Sequence, residues 1–412
     1  MRSIIQIGIV LAVGQLAACV GGNGTTAAPT PVTPVLNTTA LIVDSGPAGA
    51  LGAINHAYVT VRVCVPGSQT QCADVDHVLL DTGSWGLRLV RSVLIAHGVT
   101  LSAETDAQSQ AIEECVSFGG GQTWGPVALA DVSLAGESAP KLPVQVMDDT
   151  SASAAPPATC GANGTLINGV SGFNANGVLG VGVFVQDCGP ACVNAASPLP
   201  VYYGCTTAGV CTAENVALAA QVTNPVAMFA ADNNGIIVNL PSLQNANGDA
   251  SVQGEVVFGI STQTDNALPP SALTVLGTDT NGDFTATYNG ATTPQPALID
   301  SGAHLNSFDD PTIAVCGASS GIFVGDYCPA VAPQSVFAVN TGVGVNNAVN
   351  RVDFAIADPN TFVANATAFV NLAGGGGATH FTWGMPFFYG RKIYVGIEQR
   401  VAGAYTGPYY AY

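Results

Sequence analysis

Val78-Leu79-Leu80-Asp81-Thr82-Gly83-Ser84 and Ala297-Leu298-Ile299-Asp300-Ser301-Gly302-Ala303 decide the reading of this chain. Each is an apolar run that ends in Asp, a small hydroxyl residue and Gly. Each is followed later by a short β-type segment closing on Gly, Val178-Leu179-Gly180 and Thr382-Trp383-Gly384. One such turn means little, because Asp and Gly are ordinary turn residues. A third, Val43-Asp44-Ser45-Gly46, lies too close before Asp81 to head a lobe of its own and is followed by Pro47. The ordered pair, each copy with its companion, predicts two related lobes over residues 40–225 and 226–412.

Working outward, the flanking sequence reads as β structure. Apolar and alternating runs separated by Gly, Asn and Pro turns cover residues 56–65, 77–80, 127–134, 142–147, 235–240, 254–260, 272–276, 284–288 and 392–397. Helix is expected only over 90–97, over 217–221 and after Asp310, where Asp310 would cap and Pro311 would take the first helical position. The expected class is all-β and bilobal, a double β-barrel with a central cleft and few short helices.

Two carboxylates a hydrogen bond apart cannot both ionise, so one proton is shared between them. The ionised partner can take a proton from water while the other donates to a peptide carbonyl oxygen. Two copies of one loop supply this arrangement symmetrically. Gly83 and Gly302 let the backbones turn and approach, and Thr82 and Ser301 can bond across the interface.

At these residues the chain resembles the pepsin-like aspartic proteases. Asp81-Thr82-Gly83-Ser84 and Asp300-Ser301-Gly302-Ala303 match the two catalytic loops of that superfamily. Residues 176–182, 254–260, 381–388 and 392–397 are similar to its supporting strands, so the resemblance covers most of residues 40–412. It implies Asp81 and Asp300 as the catalytic pair, Ser84 as the hydroxyl orienting Asp81, and a flap at Ser117-Phe118-Gly119-Gly120-Gly121. In a non-catalytic protein of this fold, Phe118, Trp124 and Trp85 would line a recognition groove. The chain departs from the pattern at Phe118, where the family has a flap tyrosine, at Ala303, which lacks the second hydroxyl, and at Trp85-Gly86-Leu87-Arg88, which sets a cation near the cleft. The implied activity is endopeptidase, with a peptide or protein in the cleft and no cofactor or metal. The alternative is a non-catalytic protein of the same fold that binds peptide or glycan. The chain is also similar to an uncharacterised bacterial lipoprotein family.

The N-terminal residues read as an export signal. Arg2 precedes an apolar stretch too short to span a bilayer, and Leu16-Ala17-Ala18-Cys19 resembles a lipoprotein box, implying lipidation at Cys19. Residues 20–39 are uncharged Gly, Asn, Thr, Ala and Pro and read as a flexible tether. The expected location is the outer membrane, facing the periplasm or cell surface, held by the lipid anchor, as a monomer. With 9 Lys and Arg against 27 Asp and Glu, the net charge of −18 excludes a nucleic-acid partner.

Apart from Cys19, ten cysteines remain, an even count that suits disulfides in an oxidising compartment. Close spacing favours Cys64 with Cys72, Cys188 with Cys192, Cys205 with Cys211 and Cys316 with Cys328. That leaves Cys115 and Cys160, and spacing alone does not fix the connectivity. The five His residues show no metal spacing. Asp279-Thr280-Asn281-Gly282-Asp283 places oxygens as a calcium loop does but reads more simply as a turn. His304, four residues past Asp300, reads as a polar neighbour of the cleft.

Overall fold

The computed structural model describes residues 37–160, 165–269, 273–376 and 379–412. The signal segment, Cys19 and the tether as far as residue 36 lie outside the described residues. The fold is mostly β, with two barrel-like sheets of fifteen and seven strands and a further two-stranded ribbon. The expected strands are present, several of them longer than the apolar runs that announce them, except that the run expected over 272–276 is a strand only from Val275, over Val275–Gly277, with residue 272 outside the described residues. Cys72–Asp81, Gly121–Leu134 and Glu137–Met147 extend well beyond those runs.

The two aspartate loops hang from matching strand sets. Cys72–Asp81 pairs in parallel with Gly177–Val181, setting Val78 opposite Gly177. Gly177–Val181 pairs antiparallel with Trp85–Val90, setting Arg88 opposite Val178, and Arg88 in turn faces Gln145 across a parallel ladder. In the second copy Gln295–Ile299 pairs in parallel with Phe381–Trp383, setting Ala297 opposite Phe381. Ser307 then faces Thr382 antiparallel and Gly374 in parallel. Val78 and Ala297 each lie three residues before their aspartate, and Arg88 and Ser307 each lie seven after. The internal repeat therefore holds at the level of single-residue register, not merely as a recurring turn.

One sheet joins the two halves. Thr38–Val43 pairs along its whole length with Val252–Phe258 and also meets Ala57–Cys64. The order continues through Gly235–Leu240, Arg391–Gly396, Tyr409–Ala411 and Val275–Gly277. This corrects the expected end of the tether at residue 39. Asn37 is already buried, its side-chain amide donates to the Phe258 carbonyl at 3.2 Å, and Leu41 and Val43 are core residues. Thr and Ala in this stretch serve as β residues, because the neighbouring strand supplies the ladder they lack alone.

Helix is scarce, as expected. Among the described residues the α-helices are Arg91–Ala96 and Val170–Phe173, with short 3-10 turns that include Leu218–Ala220. The helix expected after Asp310 is absent. Asp310 does cap, accepting from the backbone and hydroxyl of Thr312 at 2.9 and 2.6 Å, but only one turn follows. Val315 then bridges Tyr327, and the Cys316–Cys328 disulfide holds the segment as a loop. No described helix is long and apolar enough to cross a membrane.

All five disulfides form: 64–72, 115–160, 188–192, 205–211 and 316–328. Cys64 and Cys72, like Cys205 and Cys211, are register partners on adjacent strands, so the bonds clip hairpins. Five such bonds point to an oxidising compartment outside the cytoplasm.

Several carboxyls titrate far from their ordinary range. Burial, reinforced by Asp148 against an opposing Arg91, pushes Glu113 up to about 8. Burial with Asp106 nearby pushes Glu214 up to about 7, and burial with Asp279 pushes Asp283 up to about 6. Between the unfolded and the raised folded values, the native state holds protons that the unfolded chain has released. Stability therefore falls as pH rises through that window. The urea midpoint is expected to be higher at about pH 6.5 than at about pH 8, a range in which histidines are largely neutral in both states, by the linkage of such groups; a flat or rising profile over that range would contradict these assignments.

Candidate active site

The loops lock each other before any chemistry is considered. Thr82 Oγ1 donates to the Ile299 carbonyl at 2.8 Å and accepts from Ser301 N at 2.9 Å. Ser301 Oγ donates to the Leu80 carbonyl at 2.7 Å and accepts from Thr82 N at 3.1 Å. All four groups are buried, where such bonds are strong and their loss is costly. The Thr and Ser between each Asp and Gly thus form the cross-brace their position suggests.

The brace brings the carboxyls of Asp81 and Asp300 into hydrogen-bond contact. Each packs on the other loop's glycine. A Cβ on Gly83 would lie 2.5 Å from Asp300 Cγ, and one on Gly302 would lie 2.7 Å from Asp81 Cγ. Glycine is required here by close approach rather than by an unusual backbone angle. Asp81 accepts from Gly83 N at 2.9 Å and from the Ser84 hydroxyl at 2.5 Å. Asp300 accepts from Gly302 N at 2.7 Å, and Ala303 offers it no hydroxyl. Desolvation, then the charge and hydrogen bond of Asp81, hold the Asp300 carboxyl well above the usual carboxylate range. Two carboxyls this close cannot both ionise, so the pair as a unit keeps one proton.

Two cavities, of about 550 and 870 Å³, meet at this pair. Both are lined by Asp81, Asp300, Phe118 and Gly119. Phe118 and Gly119 form the tip of the hairpin between Ala111–Phe118 and Gly121–Leu134, where the flap is expected. Gly120 lines the larger cavity, and Gly121, at φ +152°, fits closely against the Thr165 carbonyl. Phe118 stacks edge-on against Phe173 at 5.0 Å and lies 5.6 Å from the Arg88 guanidinium. Packing thus seats the flap residue that lacks a hydroxyl. Trp85 lines the smaller cavity beside Phe184. Trp124 does not line the groove. It is 2% exposed and donates to the Ala154 carbonyl at 2.7 Å. It packs with Tyr203 against the Cys115–Cys160 disulfide, because its position in the strand points it behind the hairpin.

Arg88 is buried in a charged cluster that sequence reasoning misses. Its guanidinium donates to Glu114 and to Asp187, each at 2.9 Å, and to the Trp85 carbonyl at 2.7 Å. Tyr202 donates its hydroxyl to Asp187 at 2.6 Å and accepts from Val222 N at 2.8 Å. The cation near the cleft is therefore fully compensated. The one sequence signal is Glu113-Glu114 inside an otherwise apolar strand, where a carboxylate demands a partner.

His304 stacks on His56 at 6.4 Å and lines the larger cavity; burial, with His56 adding to it, pushes its imidazole down to about 4. Asp279 forms a tight turn, accepting from Asn281 N and Asp283 N at 2.8 and 3.1 Å. Asp44 accepts from Gly46 N at 2.9 Å and faces His77, away from the pair.

Thr82→Ala removes one donor and one acceptor from the buried brace. It is expected to destabilise the protein by about 1–3 kcal/mol per group left unpaired, while Thr82→Ser retains most of the stability. Equal urea midpoints for the two variants would contradict the brace. Arg88→Met strands two buried carboxylates and is expected to destabilise by about 3–5 kcal/mol in the same measurement; a neutral result would show the cluster to be dispensable.

The solved structure of an aspartic proteinase from Irpex lacteus is similar to this chain at 14% identity and a TM-score of 0.45. The match covers 90% of this chain and 96% of that one. No curated protein matches. A family model matches residues 33–412, nearly the whole chain, and by that match the chain belongs to the family described as "Protein of unknown function (DUF3443)".

Proposed function

We propose that this protein is an exported aspartic endopeptidase. The observation that carries the reading is the contact of Asp81 and Asp300 at the meeting point of two cavities, where two such close carboxyls share one proton. Asp81 takes a proton from a water whose oxygen bonds to the peptide carbonyl carbon. The proton on Asp300 passes to the carbonyl oxygen. One gem-diol hydroxyl then returns its proton to Asp300 as the C=O reforms, the C–N bond breaks, and the nitrogen leaves as an amine with the proton that Asp81 took from the water. No covalent bond to the protein forms. The two cavities receive the side chains on either side of the scissile bond, and the hairpin carrying Phe118 closes over it. Lipidation of Cys19 would hold the protein at the outer membrane as a monomer, with its cleft free to meet extended peptides.

The pair stops working when its last proton leaves. Because the pair holds that proton above the usual carboxylate range, activity is expected to persist at pH values where ordinary carboxyls are already ionised. The test is cleavage of a mixed peptide library across about pH 3 to 8, with Asp81→Asn and Asp300→Asn beside the native protein. Loss of the acid–base pair is expected to reduce kcat/KM by about 10²–10⁴-fold or more in each variant. A folded native protein that cleaves nothing at any pH would overturn the endopeptidase reading and leave a peptide- or glycan-binding protein.

A further inference from the structure

The larger cavity contains a carboxylate that peptide hydrolysis does not use. Asp326 lines it, is 8% exposed, and keeps its Oδ2 buried with no hydrogen-bond partner. An unpartnered carboxylate oxygen in such a place is costly unless something arrives to pair with it. Burial pushes this acid up to about 7. Its position is firmly set. The Cys316–Cys328 disulfide closes the segment, and Cys316 N donates to the Asp326 carbonyl at 2.7 Å. Asp326 N donates to Phe323 O at 3.1 Å, and Tyr327 N to Ala373 O at 2.9 Å.

The cavity's other titratable groups are Asp81, Asp300, His56 and His304, with no Lys or Arg among its described lining residues. Burial lowers both imidazoles, so they stay neutral at neutral pH and leave the carboxylates uncompensated. This contrasts with the smaller cavity, where Arg88 is matched by Glu114 and Asp187. The same larger cavity is lined by Leu51, Ile322 and Val324, which are 75%, 58% and 55% exposed. An aliphatic surface combined with a buried, unpaired carboxylate suits a side chain with an apolar stem and a cationic head.

We propose that this cavity is a specificity subsite for a Lys or Arg side chain of the substrate, with Asp326 pairing the cationic head and Leu51, Ile322 and Val324 covering the stem. The proposal rests on the endopeptidase reading for the peptide nature of the substrate. Asp326 is here a recognition residue and takes no part in the chemistry. A Glu or Asp at the same substrate position would face Asp326 and the ionised member of the Asp81–Asp300 pair and be disfavoured.

The test uses the intact protein at neutral pH and peptide sets differing only by Lys, Arg, norleucine or Glu at each position near the cleaved bond. The native protein is expected to favour Lys or Arg over norleucine at one position by about tenfold or more in kcat/KM, as a charge-assisted hydrogen bond allows. In Asp326→Asn that ratio is expected to fall toward one, and in Asp326→Lys to turn toward Glu. A ratio unchanged in Asp326→Asn would overturn the subsite. Ratios within one variant are insensitive to partial loss of folded protein. Binding of the same peptides to Asp300→Asn, followed by fluorescence anisotropy, separates the two readings. A Lys preference in binding that Asp326→Asn removes supports the subsite even where the native protein cleaves nothing, in which case only the endopeptidase reading falls. Equal binding of Lys and norleucine peptides, or no binding of either, overturns the subsite.

Discussion

The four crossed hydrogen bonds among Thr82, Ser301, Leu80 and Ile299 are the constraint on which the rest of the site depends. They tie two distant stretches of chain together at one point, and the glycines that follow leave room for each carboxyl against the opposite loop. Two acids placed so closely in a desolvated setting have one low-energy arrangement, a shared proton. The supporting strands, alike in register on both sides, deliver the loops to that point. The sheet running from Thr38–Val43 into Val252–Phe258 keeps the two halves from drifting apart.

The site is symmetric in its brace and asymmetric in its surroundings. Arg88 and Ser307 occupy equivalent registers, yet one anchors a buried ion cluster and the other lines the larger cavity. Ser84 gives Asp81 a hydroxyl that Ala303 cannot give Asp300. These differences separate the roles of two otherwise equivalent acids and give the two cavities different electrostatic character. A buried ion cluster is a weak source of stability but a strong source of geometry. Here it fixes the floor of the smaller cavity beneath Phe118.

Much of this was legible in the sequence, because the decisive features are local. Asp, a hydroxyl residue and Gly in order state their own turn and bonding capacity, and the apolar runs before them state strands. The cysteine spacings matched the five bonds because the short-range pairs clip hairpins or tight loops. What was not legible depends on long-range partners. Thr38 and Thr39 look like tether until Val252–Phe258 lies beside them. Trp124 looks like a groove residue until the strand's pleat turns it toward Tyr203. The partners of Arg88 are far apart in the chain, and Asp326 is notable only for a partner it lacks, which no local pattern records.

The central claim is that Asp81 and Asp300 share one proton at pH values where ordinary carboxyls are ionised. The most direct measurement is a carbon-13 NMR titration of the protein labelled at its Asp carboxyl carbons, with Asp300→Asn as the difference partner. The account predicts a carboxyl that remains protonated well above the usual carboxylate range in the native protein and is missing from Asp300→Asn, as a desolvated acid beside a carboxylate requires. Native and variant spectra that titrate alike, with every difference signal ionised by about pH 4 as for an unperturbed aspartate, would contradict it.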